Sequence, residues 1–360
     1  MKKTVVHFIH DLGRGGAEMM LVKVIKELKD YNNIVVTLSP KNHFENELQC
    51  DKYYCLNLRS ILFFPLAVLQ LKKIITENKV DIVHSHLFWP TFIARLATPG
   101  KIPLITTIHA FISNSIEYRK KYMRILDKLT YRLRKNVIVA VADGALEEYF
   151  SELNLTPHKA YSLYTFVDLH EINSINETAE VKDKSKVRVV AVGALRAQKN
   201  YRYLLEAFKK LKDEDIILDI YGEGNLQNEL ENTISENDLK INLKGEIKNV
   251  VPELRKYDLF VMSSTFEGFS LSVLEAMASQ TPLLLSDIKS FREQCADTAV
   301  YFNLDDVNDF VSKIKSLSKN KLQLMQIAGQ ARERVTKNFT LDIHMKGLRS
   351  IYQEASTAIA

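Results

Sequence analysis

Glycine and proline are scarce, 12 and 8 of 360 residues, where about 12% combined is average. That excludes collagen-like and low-complexity character and leaves most of the chain for regular structure. Cysteine is scarcer still. Cys50, Cys55 and Cys295 match no C-x-x-C or zinc-finger spacing, so no disulfide framework is expected, and the odd count suits a reducing, cytoplasmic compartment. No run reaches the ~20 apolar residues of a membrane-spanning helix; the richest, residues 61–71, contains Pro65. The opening MKKTVVHFIHDLGRGGAE lacks a long apolar core, because His7, His10 and Asp11 interrupt it. It reads as a first strand and not as a signal peptide.

A large excess of one charge is also absent: 49 basic residues face 44 acidic ones, a net +5, which favours anionic ligands only weakly. The basic residues do cluster at Arg119, Lys120, Lys121, Arg124, Lys128, Arg132, Arg134 and Lys135. With no stacking aromatics or recognition helix beside them, a nucleic-acid partner is not expected. The cluster fits a solvated helix face or a peripheral contact with an anionic membrane, here the inner face. The apolar segment 61–66 reads as a buried helix on a sheet face, with a dip into a membrane surface as the alternative.

What is present is alternation. At roughly 100 to 200 residues per domain the chain holds about two. Short apolar runs bounded by turns alternate with amphipathic segments. The first half gives strands at 5–9, 34–38, 82–84, 104–108 and 137–142, and helices at 17–28, 66–77 and 117–134. A polar stretch, residues 171–186, reads as a linker. The rhythm restarts with strands at 187–192, 216–221, 241–243, 259–262 and 282–286, and helices at 203–211, 226–236, 251–255 and 271–279. Strands fed by crossover helices imply α/β architecture with parallel, doubly wound sheets. Two such Rossmann-like domains, 1–170 and 187–339, are expected to face a central cleft at the carboxyl ends of their strands, where such sheets bind ligands. A last helix, 340–360, is expected to return to the first domain.

The strongest motif is Ser264-Thr265-Phe266-Glu267-Gly268-Phe269-Ser270-Leu271-Ser272-Val273-Leu274-Glu275. A strand ends at Met262, a loop carries Glu267 and Gly268, and a helix opens near Leu271, so free N–H groups of Ser270 and Leu271 are expected to seat a phosphate. Glu275 shares a helix face with Leu271. Each carboxylate accepts two hydroxyl hydrogen bonds, which suits vicinal diols; a solvated first turn is the plain alternative. After strand 187–192 comes Gly193-Ala194-Leu195-Arg196-Ala197-Gln198-Lys199, whose two cations read by themselves as a basic loop opening a solvated helix. Gly13, Gly15 and Gly16 follow the first strand in a spacing that is not G-x-G-x-x-G. His84, His86 and His109 gather at strand ends, where three histidines raise zinc. His7 and His10 read as packing or turn residues.

The run EGFSLSVLEAMASQTPLLLSD resembles the E-x7-E signature of retaining GT-B glycosyltransferases of the family-4 type, with Ser270 in place of the usual Gly or Pro and Gln280 in place of Gly. Gly193 to Lys199 is similar to the same family's glycine, arginine and lysine element, Gly15-Gly16-Ala17-Glu18 to its G-G-A-E turn, and Gly222 and Gly245 to its nucleotide loops. Asp81-Ile82-Val83-His84-Ser85-His86 and Thr106-Thr107-Ile108-His109 resemble strand ends that are not metal sites in that family.

The resemblance implies a retaining hexosyltransferase that needs neither metal nor cofactor. Its donor is a nucleotide-diphosphate sugar, UDP-linked before GDP-linked, and its acceptor a glycan or lipid-linked hydroxyl in polysaccharide or lipopolysaccharide assembly. By the same resemblance His109, Arg196, Lys199 and Glu267 are catalytic. Gly15, Gly16, Gly193, Gly222, Gly245, Gly268, Phe269, Ser270, Leu271 and Glu275 join Arg196 and Lys199 around the donor, and the first domain takes the acceptor. A catalytically silent nucleotide-sugar-binding subunit and a nucleotide-sugar 2-epimerase are the alternatives.

Overall fold

A computed structural model describes residues 2–13, 15–58, 60–115, 117–174 and 186–357. Its contacts divide the chain into two compact units, one of residues 1–165 and 341–360 and one of residues 166–340.

The first unit runs β1 (Thr4–Ile9), α1 (Gly16–Glu27), β2 (Asn32–Thr37), β3 (Lys52–Cys55), α2 (Phe64–Glu77), β4 (Ile82–His86) and α3 (Phe88–Ala97). It continues with β5 (Leu104–Ile108), α4 (Lys121–Arg132), β6 (Val137–Ala140), α5 (Asp143–Leu153) and β7 (Lys159–Ser162). The seven strands form one parallel sheet in the order β3-β2-β1-β4-β5-β6-β7. Central strands such as β4 are buried along their whole length, as a sheet covered on both faces requires. Right-handed crossovers then fix the layers. The step from β1 to β2 runs one way along the sheet, and every step from β3 onward runs the other. So α1 lies on one face and α2, α3, α4 and α5 on the opposite one.

The second unit holds α6 (Leu169–Asn173), β8 (Val187–Val192), α7 (Tyr201–Lys209), β9 (Ile216–Tyr221), α8 (Gln227–Glu236), β10 (Ile241–Gly245), α9 (Val251–Leu254) and β11 (Leu259–Met262). It ends with α10 (Leu271–Ala278), β12 (Leu283–Ser286), α11 (Lys289–Cys295), β13 (Val300–Phe302), α12 (Val307–Lys319) and α13 (Lys321–Asn338). Its parallel sheet has the order β10-β9-β8-β11-β12-β13. The last helix, α14 (Leu341–Thr357), belongs to the first unit and packs beside α1.

Several expectations need correction. The helix expected from residue 66 begins at Phe64, with Pro65 in its first turn, where the missing N–H has no intrahelical acceptor to serve. The helix expected from residue 117 begins at Lys121, after a separate 3-10 turn at Glu117–Arg119. Part of the expected linker is helical: the Asp168 carboxylate accepts from the His170 and Glu171 N–H groups at 2.9 and 3.2 Å and starts α6. Residues 175–185 of that linker lie outside the described residues. Segment 61–66 is not simply buried either, since Leu62, Phe63 and Leu66 face solvent and α2 buries Ala67, Leu71, Ile74 and Ile75 instead.

Candidate functional site

In the second unit, two loops at the carboxyl ends of neighbouring strands are tied into one floor. Gly222, after β9, has to be glycine: its φ is +143°, and a Cβ there would lie 2.1 Å from the Gly193 carbonyl oxygen. Gly193, after β8, leaves room for the Lys199 stem, whose Cε would stand 2.7 Å from a Cβ at that position. The Lys199 ammonium donates to Glu267 Oε1 at 2.8 Å, and Ser264 Oγ donates to the same oxygen at 2.7 Å. The Lys199 and Glu267 side chains are only 16% and 9% exposed. Backbone ties close the floor: Thr265 N–H donates to Gln198 O at 2.9 Å, Gln198 Nε2 to Phe266 O at 3.0 Å, and Ser263 Oγ to Lys199 O at 3.0 Å. Burial, and secondarily the Glu267 charge, pushes the Tyr201 phenol far above its usual range. Arg196 differs from Lys199. It is exposed, and its guanidinium makes no hydrogen bond or ion pair among the described residues.

The phosphate seat expected at the start of α10 is altered. Ser270 N–H is not free, because it donates to Gln294 Oε1 at 3.0 Å while Gln294 Nε2 donates back to Ser270 O at 2.8 Å. Ser270 and Gln294 are both buried, and a buried amide without a partner would cost as much as a lost hydrogen bond. The N–H groups of Leu271 and Ser272 follow in the first turn, where helix geometry supplies no acceptor. Leu271 and Glu275 are half-buried, one turn apart on one face. Phe269 packs its ring on Phe339 at 5.1 Å. Gly268 precedes it in the loop, and Gly245, with φ +72°, accepts the Gly222 N–H at 2.8 Å. Gln294 escaped the sequence reading because α11, which carries it, shows no long periodic pattern.

The first unit places the remaining residues. Gly15 caps α1, a Cβ on it would fall 2.2 Å from Glu18 Oε2, and Gly16 opens the helix; Arg14 lies outside the described residues. Histidines gather at the ends of β1, β4 and β5. His84 lies between Tyr352 Oη and Thr107 Oγ1 at 2.7 Å each, His7 Nε2 lies 3.2 Å from Asn33 Oδ1, and His86 Nδ1 lies 3.2 Å from His109 Nε2. Burial lowers His7, His109 and His344 to about 4, and His84 and His86 well below 6.5. All five are neutral at pH 7.

The histidine grouping is not the one the sequence raised. One nitrogen each of His7, His84 and His86 lies within 4.8 Å of the others, yet both His84 nitrogens are held by hydroxyls. His7 Nδ1 and His86 Nε2 have no hydrogen-bond partner among the described residues. Both residues line a 20 Å³ cavity, room for about one water. His7 is a strand core residue, as expected of packing, whereas His10 is exposed and lines the pocket described next.

A larger pocket of 460 Å³ opens at the same strand ends, lined among others by Asp11, Glu18, Phe88, Trp89, Phe92, His109, Glu117 and Tyr118. Leu87 joins β4 to α3 on its wall with φ +68° and ψ 171°, a region used almost only by glycine and a sign of strain at a site. Arg95 lies beneath it, fully buried, paired with Asp127 and donating to Tyr149 Oη at 2.8 Å.

On the outer side of the α2, α3 and α4 layer, apolar side chains meet solvent. Leu62 is 85% and Leu133 65% exposed, and Leu69, Tyr122, Ile125 and Leu129 lie between them in sequence. Not all of the basic cluster shares this surface. Arg134 turns inward to the Thr98 and Ile102 carbonyls, and Arg124 pairs with Glu152 at 2.6 Å.

Comparison with known proteins covers both units. Residues 14–171 match the family model described as Glycosyltransferase Family 4, and residues 173–337 that described as Glycosyl transferases group 1. The chain is 28% identical, over 86% of its own length and 88% of the relative's, to the N-acetylgalactosamine-N,N'-diacetylbacillosaminyl-diphospho-undecaprenol 4-alpha-N-acetylgalactosaminyltransferase of Campylobacter jejuni. It is 25% identical, over 79% and 78%, to the UDP-Gal:alpha-D-GlcNAc-diphosphoundecaprenol alpha-1,3-galactosyltransferase of Escherichia coli. Among solved structures it resembles a glycosyltransferase from Rickettsia africae (TM-score 0.81, 19% identity, 98% of each chain). It also resembles HepE of Anabaena in complex with UDP-glucose (TM-score 0.82, 15% identity, 98% and 99%).

Proposed function

The chain belongs to the GT-B glycosyltransferases, and from that premise we propose that it transfers a hexose with retention of configuration and without a metal. The donor is a nucleotide-diphosphate sugar, UDP-linked in the first instance and GDP-linked in the second. The acceptor is a hydroxyl of a glycan or lipid-linked saccharide in cell-surface polysaccharide or lipopolysaccharide assembly. Relatives named for diphospho-undecaprenol acceptors support this class, and a fold neighbour bound to UDP-glucose supports the donor.

One observation carries the reading: Arg196 presents a guanidinium that is unpaired among the described residues, three residues before Lys199 at the carboxyl end of β8. A leaving diphosphate gains negative charge as its bond to the anomeric carbon breaks, and a preorganised cation lowers that barrier. Because Glu267 already holds the Lys199 ammonium, Arg196 takes the larger share of the diphosphate charge. Lys199 fixes Glu267, whose remaining lone pairs accept sugar hydroxyls, and Glu275 accepts the ribose diol. The Leu271 and Ser272 amides replace the Ser270 amide at the phosphate. The acceptor hydroxyl attacks from the face the diphosphate leaves, and a phosphate oxygen receives its proton. The first unit takes the acceptor, and the apolar and basic outer side of α2 and α4 rests on the inner face of an anionic membrane.

The test is a transfer assay on lipid-linked acceptors with UDP- and GDP-sugars in EDTA, the product's anomeric configuration being read by proton NMR. Retained configuration without metal is expected. An inverted product, or transfer only with added metal, overturns the reading.

A further inference from the structure

The 460 Å³ pocket of the first unit has a lining that discriminates by charge. Its volume falls in the ~300–1,000 Å³ range of small-molecule sites. One part of its lining is aromatic: the Phe88 and Phe92 rings lie 15° from parallel with centroids 6.2 Å apart, and Trp89 and Tyr118 stand edge-on to Phe88 at 5.2 and 5.1 Å. An aromatic face is the negative end of a quadrupole, and it suits the weakly positive C–H face of a pyranose. Asp11, Glu18 and Glu117 also line the pocket, carboxylates that only accept hydrogen bonds and so match hydroxyl or ammonium donors.

Among the described residues, no lysine or arginine of the lining is free to balance them. Arg95 is the one lysine or arginine among the described residues of the lining, and it is spent on buried Asp127, which also accepts from the Tyr118 and Tyr149 hydroxyls. Lys41, which acts on Glu18 electrostatically, lies outside the lining. A carboxylate or phosphate entering this pocket would meet three like charges in a partly desolvated space.

We infer that this pocket is the subsite for a sugar ring of the acceptor, and that it takes a neutral or amino sugar and rejects an acidic or phosphorylated one. The inference rests on the proposal that the first unit binds the acceptor. It follows that the diphosphate of a lipid-linked acceptor lies outside the pocket.

Trp89 is the chain's single tryptophan beside 15 tyrosines, so emission excited selectively at tryptophan reads this wall alone. Methyl glycosides of glucose, galactose, N-acetylglucosamine and glucosamine are titrated into the full chain with no nucleotide present, alongside methyl glucuronide and glucose 6-phosphate. At least one neutral or amino glycoside is expected to shift Trp89 emission saturably, with the anionic sugars at least tenfold weaker. Glu18→Gln combined with Glu117→Gln should narrow that ratio below threefold at unchanged Tm. An anionic sugar that binds as well as its neutral counterpart overturns the inference, and so does silence of the folded protein toward every neutral and amino glycoside. Failure of the donor reading is distinguishable, since it appears as absent nucleotide binding with the glycoside response intact.

Discussion

Acidification between pH 6.5 and 5 should destabilise the first unit selectively. His7, His84, His86, His109 and His344 all belong to it, and burial lowers His7, His109 and His344 from 6.5 to about 4. A histidine whose folded pKa is depressed stays neutral in the fold while the unfolded chain takes up a proton. Its stabilising contribution is therefore complete above pH 6.5 and is lost as pH falls toward 4. The slope is ~1.4 kcal/mol per pH unit for each proton of difference. Three such histidines give a limit of about 4 kcal/mol per unit below pH 6, a large part of a domain's ~5–15 kcal/mol. Glu18, raised by burial, opposes this in sign; the depressed carboxylates Asp30 and Asp287 act only at lower pH. Urea unfolding followed by Trp89 emission at steps from pH 7.5 to 5 measures it. A midpoint independent of pH over that range would refute the burial argument.

Further expectations concern single positions and a surface. Arg95→Leu strands the Asp127 carboxylate in the core and should cost about 3–5 kcal/mol in urea unfolding, whereas Arg95→Leu with Asp127→Leu should recover much of the loss; equal costs would deny the pairing. Gln280 follows α10 with φ +57°, so Gln280→Gly should raise stability by about 0.5–1 kcal/mol by relieving a left-handed backbone, seen as a higher Tm. Sedimentation with vesicles containing anionic phospholipid should retain the protein, with Ile125→Asp and Leu129→Asp releasing it at unchanged Tm; retention by purely zwitterionic vesicles to the same extent would contradict the role of the basic residues.

The rhythm of buried strands made the two parallel sheets readable, because Leu259–Met262 is a continuous apolar run and Ile216–Tyr221 is broken only by Asp219. Elements without such contrast were missed. β3 is a half-exposed edge strand with the sequence KYYC, and α3 opens FWPTF, aromatic with a proline in its first turn. The loop residues around Glu267 were legible as a motif, and the spacing of Lys199 and Glu267 along the chain gave no hint that they pair. That pairing depends on β8 and β11 lying side by side. The buried clamp of Gln294 on Ser270 was invisible for the same reason: a tertiary hydrogen bond across 24 residues leaves no local pattern. The five neutral histidines likewise become a cluster only once β1, β4, β5 and α14 are assembled.

The central claim is that Arg196 meets a nucleoside diphosphate without metal. A thermal-shift series of UDP, GDP, ADP and TDP in EDTA, on the wild type and Arg196→Ala, tests it most directly. The account predicts stabilisation by one of these nucleotides, UDP first, at least tenfold weaker in apparent affinity for Arg196→Ala, in keeping with ~2–4 kcal/mol for one such electrostatic contact. No shift with any nucleotide, a shift that requires a divalent metal, or an undiminished shift in Arg196→Ala would contradict it.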